Sequence, residues 1–294
     1  MHLGIDIGGT NVKGVLIKDD QIINMITRDT QRQDENWHDS IAGVYRELTQ
    51  MTAESIESIG LSAPGVANEN NRCIAFMPER FKGLEGFVWG ELLGRDVLVL
   101  NDAHAALWAE AKWGEGKDFN NIVMLTLGTG IGGGLLIDGK LHQGFMKRAG
   151  HLGHVSINAY DHASSIAGTP GSLEDAMGEI TLAHRSKNRF QHTHALVKAY
   201  KEGDTWATYV WLNAVRILSV SIVSFCNAFS PDLVVLAGGI TKAGNDLLKP
   251  LNDFLDIYEW RPGGKSTPIK IARYEDYAGA IGAALYARDH LASL

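Results

Sequence analysis

The sequence predicts an α/β protein of two domains, with duplicated mixed β-sheets and helices flanking a central cleft. An internal repeat is the first observation behind this. Residues 3–10 are an apolar run closed by Gly8-Gly9-Thr10 and followed by a second apolar run over 12–17; residues 124–130 repeat the plan, closed by Gly128-Thr129-Gly130 and followed by 132–137. Second, helical and strand periodicities alternate along the rest of the chain, the pattern of layered α/β folds. Third, at roughly 100–200 residues per domain, 294 residues make two domains, or one large one, with ample core.

Each copy of the repeat reads as a hairpin whose turn exposes backbone N–H groups and a threonine, continuing through Asp19-Asp20 or Asp138-Gly139 toward a third strand. Residues 36–52 place Ile41, Val44, Tyr45, Leu48 and Met51 at helical spacing, and 58–63 is a short apolar strand closed by Pro64-Gly65. A strand over 96–100 and a helix over 103–113 follow, with a hinge expected near 114–120. In the second half, Ser172-Leu173-Glu174-Asp175 has the form of a capping box opening a helix. Residues 206–229 form a long apolar helix, and 233–237 and 269–272 read as strands. The helix 206–229 is long enough to span a bilayer but carries Asn213 and Arg216, so it is expected in a core. A helix over 278–291 closes the chain and crosses back to the first domain. The expected division is 1–113 completed by 278–294, and 114–277.

Lys plus Arg number 27 and Asp plus Glu 34, a net charge of −7 with no basic run, which argues against nucleic acid as a partner. Cys73 and Cys226 are the only cysteines, too few for a disulfide framework or a Cys-rich zinc site. Met1-His2-Leu3 runs directly into Gly4-Ile5-Asp6 with no basic or apolar leader, so a soluble, cytoplasmic protein without a membrane partner is expected.

Residues 128–133 satisfy G-x-G-x-x-G, but the following Gly134-Leu135-Leu136-Ile137 reads as a strand and offers no helix N-terminus to a pyrophosphate. Residues 134–140 approach a Walker A loop, yet Leu141 stands where a metal-binding Ser or Thr is required. The remaining phosphate cradle is the pair of hairpins at Gly8, Gly9, Thr10 and at Gly128, Thr129, Gly130. Glycine lets backbone N–H groups approach phosphate oxygens, and threonine adds a hydroxyl donor. Asp6, just before the first hairpin, is placed to hold Mg²⁺ through water. Asp102, at a strand end before a helix, is placed to accept a proton from an attacking hydroxyl, the alternative being a helix N-cap.

Four segments together resemble the ROK family of bacterial sugar kinases and repressors, within the actin-like (ribonuclease H-like) ATPase superfamily: 4–13, Asn101-Asp102-Ala103, 127–133 and 236–240. The resemblance implies an ATP-dependent kinase transferring the γ-phosphoryl group to a hydroxyl, the 6-hydroxyl, of a hexose or hexose derivative. By the family pattern Gly8, Gly9, Thr10, Lys13, Gly128, Thr129 and Gly130 bind phosphates, and Gly238 and Gly239 pack against the adenosine. Asp6 supports Mg²⁺ and Asp102 is the base. Sugar contacts carry over to Gly65, Asn101, His154 and Glu174. A homodimer is likewise implied.

Departures from the pattern cluster at the acceptor. Where the family has Glu-x-Gly-His, this chain has His151-Leu152-Gly153-His154, placing an imidazole at a carboxylate's position. The zinc loop's three cysteines are absent from 165–174, so no structural zinc is expected, and a His151, His154, His162 metal set is the weaker alternative. The family's Pro-Asn-Leu contact falls at 77–81 with Glu79 or Arg80 in place of Asn, and His104 replaces a common Asn, its alternative being a helix-surface residue. Plain glucose specificity is therefore in doubt, and an altered hexose, amino sugar or sugar acid is expected. The repressor alternative needs a DNA-binding segment ahead of the phosphate loop, which begins within the first ten residues here. A catalytically silent sugar sensor is the other alternative, kept open by His151.

Overall fold

The computed structural model describes residues 1–30, 37–77, 81–160 and 168–291. The chain divides into two compact units, one of Met1–Asp118, Leu141–Ala149 and the segment from Arg273 onward, the other of Phe119–Lys140 and Gly150–Ala272.

The first unit opens with β1 (His2–Ile7), β2 (Asn11–Lys18) and β3 (Gln21–Asp29), paired antiparallel in sequence. Consecutive Leu3, Gly4 and Ile5 are buried, as expected of a strand covered on both faces, whereas the outer strand β3 exposes alternate residues. Helix α1 (Trp37–Gln50) buries Ile41, Val44 and Leu48, the helical spacing read from the sequence. Then come β4 (Ser58–Ala63), a two-stranded ribbon of β5 (Val66–Ala67) and β6 (Ile74–Phe76), the short helix α2 (Trp89–Leu93), β7 (Val97–Asn101) and α3 (Asp102–Trp113). The sheet order is β3-β2-β1-β4-β7, with β1, β4 and β7 parallel.

The second unit repeats this plan. Strands β8 (Ile122–Leu127) and β9 (Ile131–Ile137) form its hairpin and β10 (Lys140–Leu141) its short third strand. Five helices follow: α4 (Leu173–Met177), α5 (Leu182–Arg185), α6 (Thr193–Lys201), α7 (Thr205–Phe229) and, after β11 (Leu233–Ala237), α8 (Asn245–Tyr258). Strand β12 (Ile269–Ile271) completes a sheet ordered β10-β9-β8-β11-β12, with β8, β11 and β12 parallel. The apolar helix α7 buries Trp211, Ala214, Leu218, Ile222 and Phe225 against α4, α6 and α8; that stripe makes it a core helix.

The final helix, α9 (Ala278–Leu291), packs on β1, β4 and α3 of the first unit. Its approach is close enough that a Cβ on Gly60 would land on the Ala283 carbonyl and one on Gly282 on the Ala105 carbonyl, so glycine is required on both sides. The division differs from the expected one at three places. The first unit extends to Asp118 because the backbone N–H groups of Gly114 and Gly116 return to the Glu110 carbonyl. It resumes at Arg273 because the Tyr274 N–H donates to the buried Glu110 Oε1 (2.7 Å). It also takes in Leu141–Ala149.

Candidate active site

In the first unit, the Ile7–Val12 pairing leaves Gly8, Gly9 and Thr10 at the head of the hairpin. Buried Thr30 pins that turn: its hydroxyl donates to the Gly8 carbonyl (2.9 Å) and its N–H to the Thr10 carbonyl (2.9 Å). Asp6 lies just before the turn, opposite Ser62 in the parallel pair, and accepts the Ser62 hydroxyl on Oδ1 (2.6 Å). A Cβ on Gly279 would strike the Asp6 carboxylate, so α9 closes tightly over it. Burial pushes the Asp6 pKa up to about 6, Asp102 adds to the rise, and the Ser62 hydrogen bond and Lys13 oppose it. Lys13 is directed to the C-terminal segment, donating to the Asp276 carbonyl (2.8 Å).

Asp102 sits at the carboxyl end of β7 and is exposed. The N-cap of α3 is Asn101, not Asp102: its Oδ1 accepts from the N–H groups of Ala103 and His104, and its Nδ2 donates to the Gly65 carbonyl (2.9 Å). Gly65 has φ 102°, a conformation that glycine adopts without strain. His104, for which a helix-surface position was the alternative reading, is fully buried, since α3 is buried on nearly every side.

In the second unit, Gly128, Thr129 and Gly130 occupy the equivalent turn, and its carbonyls are fixed by the N–H groups of Glu179 and Ile180 (both 3.0 Å). Glu174, 5% exposed, is a core residue rather than an exposed first-turn one. The capping box formed by Ser172 and Asp175 starts α4 so that the Glu174 carboxylate reaches the hairpin, where Oε2 accepts the Ile131 N–H (2.9 Å). A Cβ on Gly130 would collide with that carboxylate. Oε1 is buried without a donor among the described residues.

The turn carrying His151 and His154 is anchored on the same residue, because a Cβ on Gly153 would meet the Ile131 carbonyl. The two imidazoles stack in parallel, 6.1 Å between centroids. Burial, with His154 as a second cause, drives the His151 pKa down to about 4, so this imidazole is neutral at pH 7. Glu79, Arg80 and His162 lie outside the described residues.

Beside the hairpin the second unit carries an open cavity of about 790 Å³, lined by Gly128 and Thr129, by Gly239 and Lys242 from the turn after β11, and by Thr193 and Lys198 of α6. A Cβ on Gly238, at φ 92°, would collide with the Leu127 carbonyl, while one on Gly239 would meet only open space. Glu179 closes one side; burial favours its neutral form, but the Thr193 N–H (2.7 Å) holds its pKa below the usual value. The α6 residues and Ser62 escaped the motif reading, although a serine inside the otherwise apolar run 58–63 was a usable signal.

Two units with one strand order, each presenting a glycine-threonine turn at the carboxyl end of its parallel strands, define an actin-like ATPase fold. The sequence matches the model of the ROK family over residues 2–290, and the chain belongs to that family. It is 26% identical to a glucokinase of Thermotoga maritima, over 98% of each chain. It is 27% identical to an N-acetylmannosamine kinase of Escherichia coli, again over 98% of each. The crystal structure of a ROK hexokinase from Thermus thermophilus superposes with a TM-score of 0.89 at 27% identity, covering 100% of this chain and 99% of that one.

Proposed function

We propose that this chain is an ATP-dependent sugar kinase transferring the γ-phosphoryl group to a hydroxyl, the 6-hydroxyl, of a hexose derivative. The observation that carries the reading is Asp102: an exposed carboxylate at the end of a parallel strand, following the Asn101 cap and close enough to the half-buried Asp6 to raise its pKa. The relatives named above are glucokinase and N-acetylmannosamine kinase, two sugar kinases with different acceptors.

The 790 Å³ cavity and Gly239 suit the adenosine, and each hairpin by itself suits phosphate oxygens. Asp6 fits a water-mediated Mg²⁺ site, since a carboxylate whose proton affinity burial raises to about 6 is stabilised as the anion by a cation. Magnesium, when bound, neutralises charge on the transferring phosphoryl group. Asp102 accepts the proton as the acceptor oxygen bonds to the γ-phosphorus and ADP leaves; alignment and one carboxylate are what this chemistry requires. On the acceptor side, Glu174 offers the buried Oε1 to a sugar hydroxyl, His151 supplies a neutral imidazole, and His154 stacks beside it. His151 brings no charge where the ROK pattern has a carboxylate, which favours an acceptor other than plain glucose.

ADP release with Mg·ATP, measured against hexoses, amino sugars, anhydrosugars and sugar acids with Asp102→Asn as the blank, tests this. A sugar-dependent signal lost in the variant supports it; turnover by Asp102→Asn within a fewfold of wild type overturns the base assignment.

A further inference from the structure

The segment Leu141–Ala149 belongs to the first unit although the chain on either side of it belongs to the second. A hydrogen-bond circuit holds it there. Lys147, at φ 55°, donates from Nζ to Asn71 Oδ1 (2.9 Å) and Gln143 Oε1 (3.1 Å). Asn71 engages both polar groups of Val99 in β7: its Nδ2 donates to the Val99 carbonyl (2.9 Å), and its own carbonyl accepts the Val99 N–H (2.7 Å). At the other end, the Gln143 carbonyl accepts the Ala149 N–H (2.9 Å), and the Ala149 carbonyl accepts Nε2–H of His104 in α3 (2.9 Å).

Val99 precedes Asp102 by three residues and His104 follows it by two, so the circuit closes around the corner that presents the carboxylate. Asn71, Gln143 and His104 are all buried. Lys147 meets two neutral amides instead of a carboxylate, and burial lowers its pKa, an arrangement that costs free energy and whose return is directional bonding. Two residues beyond Ala149 the chain reaches His151. The ROK pattern commonly has Asn where His104 stands, and the longer imidazole is this chain's means of reaching that carbonyl.

We propose that Asn71, His104 and Lys147 are positioning residues of the acceptor site. They fix, in one frame, the corner bearing Asp102 and the point from which the chain runs to His151. The inference rests on the roles given above to Asp102 and His151.

The test compares Lys147→Met, His104→Leu and His104→Gln with wild type in the full chain, by native-state hydrogen exchange and by steady-state kinetics with the best acceptor. Gln keeps an N–H donor of similar reach. Exchange is expected to accelerate over residues 97–106 and 150–155 in the first two variants, to stay unchanged over 122–127, and to return toward wild type in His104→Gln. Acceptor KM is expected to rise and kcat to fall by about tenfold in Lys147→Met and His104→Leu while nucleotide KM holds, and a variant combining those two substitutions to be no worse than either alone. Exchange changes confined to 141–149, or spread over the whole chain, would overturn the frame, as would nucleotide and acceptor KM rising together. Wild type inactive with every sugar would sink the kinase reading instead, and the exchange pattern would still decide the frame.

Discussion

The two units share one strand order and one hairpin, yet their equivalent positions carry opposite chemistry. Asp6 pairs with Ser62 on one side and Lys13 on the other. At the same places the second unit has Thr126 with Ala237 and Gly132, where the Thr126 hydroxyl merely accepts the Gly132 N–H (3.1 Å). At these paired strand positions the ionisable side chains are in the first unit, whereas the second brings a carboxylate to its hairpin from α4, as Glu174, and has the cavity beside it. On the proposed reading, the first unit contributes the carboxylates of transfer and the second the cavity for the nucleotide and the Glu174 contact to the acceptor.

Substitutions at matched positions sharpen that contrast. The largest effect is expected for Asp102→Asn, a fall in kcat of about 10²–10⁴ with nucleotide affinity unchanged, read by steady-state kinetics and by binding of a non-hydrolysable ATP analogue. Asp6→Asn should lower kcat by about 10² and weaken the dependence on Mg²⁺, while Thr126→Val at the equivalent site leaves kcat nearly unchanged. Comparable losses in both would break the comparison. Glu174→Gln should raise acceptor KM by about tenfold with nucleotide KM held, since a charge-assisted hydrogen bond becomes a neutral one.

The smallest effects are in stability, and they run in opposite directions in the two units. Folded Asp6 has a pKa raised from 3.8 to about 6, so the folded state holds its proton more tightly and wild type loses stability as pH rises through that window. The melting temperature of ligand-free Asp6→Asn should therefore match wild type below pH 4 and exceed it by a few degrees above pH 6. His151 has a pKa depressed from 6.5 to about 4, so its contribution is present above pH 6.5 and lost as pH falls toward 4. His151→Gln should gain on wild type across that descent; a pH-independent gap would show that the imidazole is not held neutral.

Much of this was legible in the sequence because it depended on neighbours along the chain. The repeat, the alternation of strands and helices, the capping box at Ser172 and the turns at Gly8 and Gly128 are local patterns, fixed by backbone sterics and by the spacing of apolar residues. Local pattern misled where a partner distant in sequence decided. The alternative reading of His104 as a surface residue fails, since it is buried, and the alternative reading of Asp102 as the helix cap falls to Asn101, because the strand runs one residue further.

The sequence by itself determined the α/β class, the duplicated hairpins and the membership in the ROK family, all carried by short motifs in a fixed order. Only the tertiary structure decided that Glu174 is a core carboxylate bound to Ile131, that Ser62 engages Asp6, and that residues 141–149 return to the first unit. Each of these rests on a desolvated polar group finding its partner tens of residues away. The requirement that it find one is general, but which partner it finds is set by packing.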